Sequence, residues 1–142
     1  MLMWRPRNET EQDLKNEAAI AELLSAKWKC DVHKLSETLY PVDWSFSRGG
    51  EVVAFGEYKR RSKKFDSALL SASKYFRMLE LGRVYKLPVL LIIEWPNELG
   101  YIDLYNVPLD LQVYIGGNSR GQNGDIEPVV YIPCNKFTQV PS

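Results

Sequence analysis

The segment Pro88–Trp95, Pro-Val-Leu-Leu-Ile-Ile-Glu-Trp, limits the fold more than any other part of the chain. It is nearly continuous in apolar residues and has the length of a β-strand. A strand with hydrophobic side chains on both faces has to be covered from both sides, as in a sheet flanked by helices. The rest of the sequence supplies the covering layers. Asn8 followed by Glu11 reads as a helix N-cap with its capping-box partner, and predicts a helix from about Glu9 to Trp28. At about 100° per residue, Leu14, Ala18, Ala21, Leu24 and Trp28 form one apolar stripe on it. Glu17 falls inside that stripe, whereas Glu11 and Glu22 fall outside.

Val32–Leu35, Leu39–Ser47 and Glu51–Lys59 read as strands, with Arg48-Gly49-Gly50 as the hairpin signal between the last two. A helical pattern follows from about Phe65 to Leu81. Leu69, Ala72, Phe76 and Leu79 mark its face, and Gly82 is the expected C-cap. After the apolar strand, Pro96–Gly100 reads as a turn. Tyr101–Val107, Leu111–Ile115 and Ile126–Ile132 read as further strands, and the Gly/Asn-rich stretch Gly116–Gly124 as a loop. No repeat or linker divides the chain, so one domain is expected over residues 1–142. The fold class is α/β: a mixed β-sheet flanked by helices, in the order αβββαβ, with a C-terminal strand extension.

Composition removes several functions. With 45% hydrophobic and 25% charged residues, the chain is an ordinary globular one. No apolar run approaches the roughly 18–20 residues of a membrane span, and no apolar segment follows Met1–Pro6, so a cytoplasmic protein without membrane association is expected. Cys30 and Cys134 are too few for a thiolate zinc site, and the single histidine, His33, argues against a histidine-based triad or metal site. His33 reads as a surface strand residue, and Trp28 and Trp44 as packing residues. Oxygen-ligand chemistry stays open. The net charge of zero hides an uneven distribution: residues 1–56 carry −2, residues 57–86 carry +6, and residues 87–142 carry −4. The basic segment is centred on Lys59-Arg60-Arg61-Ser62-Lys63-Lys64 and can attract a polyanion.

Two acid-x-Lys triplets occur. Asp13-Leu14-Lys15 lies in the first helix, where positions i and i+2 face apart. Glu57-Tyr58-Lys59 ends a strand, so Glu57 and Lys59 share one face. Asp43 lies in the preceding strand. A two-residue Gly49-Gly50 turn puts Asp43 and Glu57 on opposite faces. An odd-length loop or a β-bulge puts them on the same one, and one of these two devices is expected. Two carboxylates with a main-chain carbonyl suit Mg²⁺ or Mn²⁺. A carboxylate inside an apolar helix stripe is costly unless paired or near a metal, which makes Glu17 a candidate third acid.

Val42-Asp43 followed by Glu57-Tyr58-Lys59 resembles the bipartite signature of the PD-(D/E)XK nucleases, and Glu17 resembles the acid that many of them carry on their first helix. The family core of helix, three strands, helix and strand resembles the reading from Glu9 to Trp95. The resemblance implies a restriction-endonuclease-like fold and a nuclease that hydrolyses DNA phosphodiester bonds. It further implies that Asp43, Glu57, the carbonyl of Tyr58 and Glu17 serve the metal, and that Lys59 activates the attacking water. Arg60, Arg61, Lys63 and Lys64 would contact flanking phosphates, and Lys74 would supply the basic residue of the following helix. The small size is similar to compact phage-type or Holliday-junction endonucleases, with duplex or branched DNA as substrate and a homodimer as the expected assembly. The competing readings are a non-catalytic nucleic-acid-binding or assembly module that keeps the fold, and an unrelated partner-binding domain. The loop at residues 116–121 lacks the Gly-Lys-Ser/Thr ending of a phosphate-binding loop. It reads as a hairpin tip, with Arg120 its one candidate for nucleic-acid contact.

Overall fold

The structure is a computed structural model that describes residues 10–109, 112–116 and 127–141. The predicted cap at Asn8 and most of the Gly/Asn-rich loop, Arg120 included, lie outside these residues. Helix α1 spans Glu11–Trp28, and its N-cap is Thr10. The Thr10 hydroxyl accepts from the Asp13 amide at 3.0 Å while the Asp13 carboxylate accepts from the Thr10 amide at 3.1 Å. Asp13 thus fills the capping-box role expected of Glu11, because Thr10 offers the same chemistry as Asn8 two residues later. The helix ends at Lys29, in the left-handed region with φ 50°.

Strands β1 (Asp31–Lys34), β2 (Trp44–Arg48) and β3 (Glu51–Arg60) follow. β2 starts later than the pattern predicts. Leu39 and Tyr40 both donate their amides to the Ser36 carbonyl, at 3.2 and 3.0 Å, and Pro41 has no amide to give a ladder. The chain over residues 36–43 is therefore a turn segment that delivers Asp43 to the mouth of β2.

The first half of the predicted second helix is a strand. β4 spans Ser67–Ser71, and α2 covers Ala72–Tyr85. Ser71 is the N-cap, its hydroxyl accepting from the Lys74 amide at 3.0 Å. The buried face of α2 is Ala72, Tyr75, Met78, Leu81 and Gly82, whereas Phe76 is exposed. Gly82 lies inside the helix rather than capping it: a Cβ there would stand 2.7 Å from the Tyr105 ring. The cap is Lys86, with φ 56°.

β5 (Val89–Trp95) is the apolar strand, and the turn after it is Pro96-Asn97 alone, with Asn97 at φ 64°. That short turn lets β6 (Glu98–Asp103) begin earlier than predicted. β6 also stops earlier, because the Asp103 carboxylate accepts the amides of Tyr105 and Asn106 and bends the chain. β7 (Val113–Gly116), β8 (Glu127–Pro133) and β9 (Thr138–Gln139) complete the described elements.

The main sheet has the order β1-β2-β3-β5-β6-β9, antiparallel except for the β3–β5 pair, which is parallel. A second antiparallel sheet has the order β4-β8-β7. β5 explains the layering. Leu90 and Ile92 enter a cluster with Leu24 of α1, Trp44 and Phe46. Val89, Leu91, Ile93 and Trp95 enter a larger one with Met78 and Leu81 of α2 and Val130 and Ile132 of β8. One face of the main sheet is thus covered by α1, the other by α2 and the second sheet. Both faces of β5 leave water, as its composition requires. The expected mixed sheet flanked by helices is present, with an additional sheet in which β4 is drawn from the segment read as helix.

Candidate active site

The site begins with the β2–β3 hairpin. Gly49 and Gly50 have φ of 57° and 84° and form a two-residue turn, so Arg48 pairs with Glu51 and Ser47 with Val52. Two such residues with positive φ suit glycine and match the right-handed twist of the strands. Continued unchanged, that register would send Asp43 and Glu57 to opposite faces. It is not continued. Phe46 pairs with Ala54, which leaves Val53 as an extra residue, a β-bulge between two ladder pairs. Beyond the bulge Trp44 lies opposite Gly56. Asp43 therefore comes opposite Glu57. The bulge is one of the two devices the sequence required.

Glu57 is fully buried and Asp43 is 3% exposed. One oxygen of Asp43 accepts the Tyr58 amide at 2.9 Å, which ties the carboxylate to β3. Glu57 faces α2. The Lys74 ammonium stands 3.2 Å and the Lys59 ammonium 3.7 Å from its Oε2. Lys74 also donates to the Pro41 carbonyl at 2.6 Å, which joins the first turn of α2 to the segment before Asp43. A small cavity of ≈ 50 Å³ lies between Asp43, Lys74, Glu37, Tyr40, Pro41 and Val42. Burial lowers the pKa of Lys59, reinforced by Arg61 and Lys74 and opposed by Glu57 and Asp43. Its ammonium is thereby readier to part with a proton than a surface lysine.

Alternation carries the neighbours to the other face. The Tyr58 ring stacks on Trp44 at 5.6 Å and its hydroxyl donates to Glu94 at 2.5 Å. Burial, with the Glu94 contact second, raises its pKa well above the tyrosine norm. Glu17 belongs to this face as well. It is 9% exposed, accepts the Trp44 indole N–H at 3.1 Å and pairs with the Lys34 ammonium at 2.5 Å. Lys34 bridges the two faces at the end of the sheet, because its ammonium is also 3.9 Å from Asp43 Oδ1. Among the described residues, no group of three or more His, Cys, Asp or Glu side chains is gathered to hold a metal. Asp43 and Glu57 stand together, and Glu17 stands apart with Lys34 between. The donor set at the Asp43–Glu57 end is two carboxylates with the Tyr58 carbonyl in the same strand. These are hard oxygen ligands of the kind Mg²⁺ and Mn²⁺ take together with several waters.

The basic run leaves the site along the end of β3. Arg60 reaches Glu94 at 3.8 Å, and Lys64 pairs with Glu98 at 2.6 Å while lying over the Trp95 ring. Lys63 is exposed. The structure brings Asp43, Glu57, Lys59 and Lys74 into one cluster, with Arg60, Arg61, Lys63 and Lys64 beyond it. Lys34 was not singled out by the sequence reading. The signal available was its place in a short strand ahead of Asp43, which says little without the β1–β2 pairing of Lys34 with Trp44.

No curated protein sequence matches the chain. Among solved structures it is similar to Hjc of Archaeoglobus fulgidus, a Holliday junction resolvase from an archaeal hyperthermophile. The TM-score is 0.57 and the identity 14%, over 89% of this chain and 92% of that one. At that identity the likeness speaks for the fold, a resolvase- and restriction-endonuclease-like one. The family described as "Phage putative PDDEXK endonuclease" matches residues 3–140. That match spans both acids, Lys59 and all the described elements, and the chain belongs to this phage PDDEXK endonuclease family.

Proposed function

We propose that the chain is a metal-dependent endonuclease that hydrolyses phosphodiester bonds of DNA. The observation that carries this reading is the pair of buried carboxylates, Asp43 at the mouth of β2 and Glu57 in β3, with the Lys59 ammonium 3.7 Å from Glu57. Asp43, Glu57 and the Tyr58 carbonyl would hold Mg²⁺ or Mn²⁺. When bound, the ion lowers the pKa of a coordinated water and neutralises charge at the phosphate.

The chain's own groups supply the rest. The Tyr58 amide fixes Asp43, so the first carboxylate needs no reordering when it is used. Lys59 holds the attacking water and takes part in its deprotonation, a role its lowered pKa favours. Lys74, which like Lys59 stands beside Glu57 Oε2, stabilises negative charge gathering at the phosphate. Glu17 acts on the cation through water or through Lys34. Arg60, Arg61 and Lys63 position flanking phosphates without reading bases. Cutting both strands of a duplex or branched substrate calls for two such sites, which a homodimer supplies.

The test is incubation of the protein with plasmid and with four-way branched DNA, in Mg²⁺, Mn²⁺ or EDTA, beside Asp43→Ala and Lys59→Ala. Cutting by the wild type in either metal, none in EDTA, and a loss of about 10²–10⁴-fold in Lys59→Ala are expected. Equal traces of cutting in all three proteins would remove the assignment. DNA binding without cutting would establish the non-catalytic module instead.

A further inference from the structure

The apolar stripe of α1 is only half used. Leu24 is fully buried, yet Leu14 is 47% exposed and Ala18 is exposed as well. Between this uncovered half and the sheet lies a cavity of ≈ 360 Å³, whose walls are Leu14, Ala18, Ala21 and Val32. Its polar members are Glu17 and Lys34, and Trp44 also lines it. The volume falls within the roughly 300–1,000 Å³ of small-ligand clefts.

Lys34 makes this cavity part of the site. Its ammonium lies between Glu17 and Asp43, and its side chain, 42% exposed, is more open than those of Lys59 and Lys74 at 30% and 24%. Glu17 is a buried acid in an apolar stripe, a costly placement that needs partners. Those partners are Lys34 and the Trp44 indole. The arrangement places the ammonium of this partly exposed side chain beside Asp43, whereas Lys59 and Lys74 stand beside Glu57. A strand whose scissile phosphate lies at Asp43 and Glu57 therefore meets a further cation before it meets the apolar wall. We propose that Lys34 and this cavity form a subsite for the nucleotide next to the scissile bond, with Lys34 on its phosphate and the α1 wall against its sugar and base. The proposal rests on the reading of the chain as a DNA endonuclease. Continuity with Asp43 through the Lys34 ammonium, 3.9 Å from Asp43 Oδ1, selects a substrate nucleotide as the occupant.

Equilibrium binding to duplex DNA, in Ca²⁺ to prevent cutting, tests this across a range of KCl. Lys34→Met should weaken binding about tenfold and lower the slope of log K against log salt by about 0.9, the signature of one lost phosphate contact. Lys34→Arg should keep the slope. Ala18→Phe, which fills the cavity, should weaken binding without changing the slope. A methylphosphonate placed next to the mapped cut on one of its two sides should abolish the difference between wild type and Lys34→Met. Should Lys34→Met fail to fold around an unpaired Glu17, the Glu17→Gln/Lys34→Met double variant carries the same comparison. An unchanged slope in Lys34→Met, or an equal deficit on every modified duplex, would overturn the subsite while wild-type cutting leaves the endonuclease reading intact. A wild type that does not cut in Mg²⁺ or Mn²⁺ overturns both.

Discussion

Glu57 carries two lysines, and they are placed differently. Lys74 is held by a main-chain carbonyl as well as by Glu57, whereas Lys59 is partly buried with two other cations nearby. The Lys59 shift has a consequence for stability. Its folded pKa is below the unfolded value of 10.5, chiefly through burial. Between the two pKa values the unfolded chain binds more protons than the folded one, so stability rises with pH across that window. Denaturant midpoints measured in EDTA as pH approaches 10.5 should climb more steeply for the wild type than for Lys59→Met. Equal slopes would mean that Lys59 is not held in a partly desolvated, cation-rich setting. At this scale the acid pair and Lys59 were legible, because a strand end with an acid two residues before a lysine defines a shared face without reference to the rest of the molecule. Lys34 was not. Its significance depends on Glu17 and Asp43 arriving from a helix and from another strand, and no local pattern encodes that meeting.

At the scale of elements, the basic run divides. A row of six residues containing five cations reads in sequence as one phosphate-binding strip, but the structure commits its members unequally. Lys64 is held by Glu98 and lies over the Trp95 ring, while Lys63 is exposed. Lys63→Ala should therefore lower the salt slope of DNA binding by about 0.9, and Lys64→Ala should leave it near the wild-type value. Fluorescence anisotropy over a KCl series separates the two. The second helix shows why other elements were misread. Leu69, Ala72, Phe76 and Leu79 satisfy a helical period, but Ala68 and Leu70 also alternate as a strand does, and the partner that decides between them is β8, far along the chain. Leu70 faces Val130 and Ala68 faces Ile132, both in the core. Local periodicity has no access to that pairing. The hairpin and β5 needed no distant information, since glycines at a tight turn and a two-faced apolar run each define their own geometry.

At the scale of the whole molecule, the main sheet separates two chemistries. Asp43, Glu57, Lys59 and Lys74 lie toward α2, and Glu17, Trp44 and the α1 cavity lie toward the other face. Lys34 links them at the sheet end. The layered order from α1 to β5 was legible because strand burial and helix stripes are properties of neighbouring residues. The second sheet was not, because its strands come from three separate stretches and the segment supplying β4 has a rival helical period. Loosening the second sheet should accordingly disturb the α2 side first. Leu70→Ala removes a buried side chain from the cluster that holds Met78 and Leu81, and should cost about 2–5 kcal/mol. The loss should show in thermal unfolding monitored by circular dichroism.

The extra residue at Val53 also governs which length changes this chain can survive. Deleting Val53 itself removes the bulge and leaves an unbroken ladder from the two-residue turn, with Asp43 still opposite Glu57. Deleting Ser45 from β2 with the bulge in place slides β2 by one residue, brings Asp43 opposite Gly56 and turns it away from Glu57. Single-residue deletions through this hairpin, scored for DNA cutting, should therefore spare activity at Val53 and abolish it at Ser45.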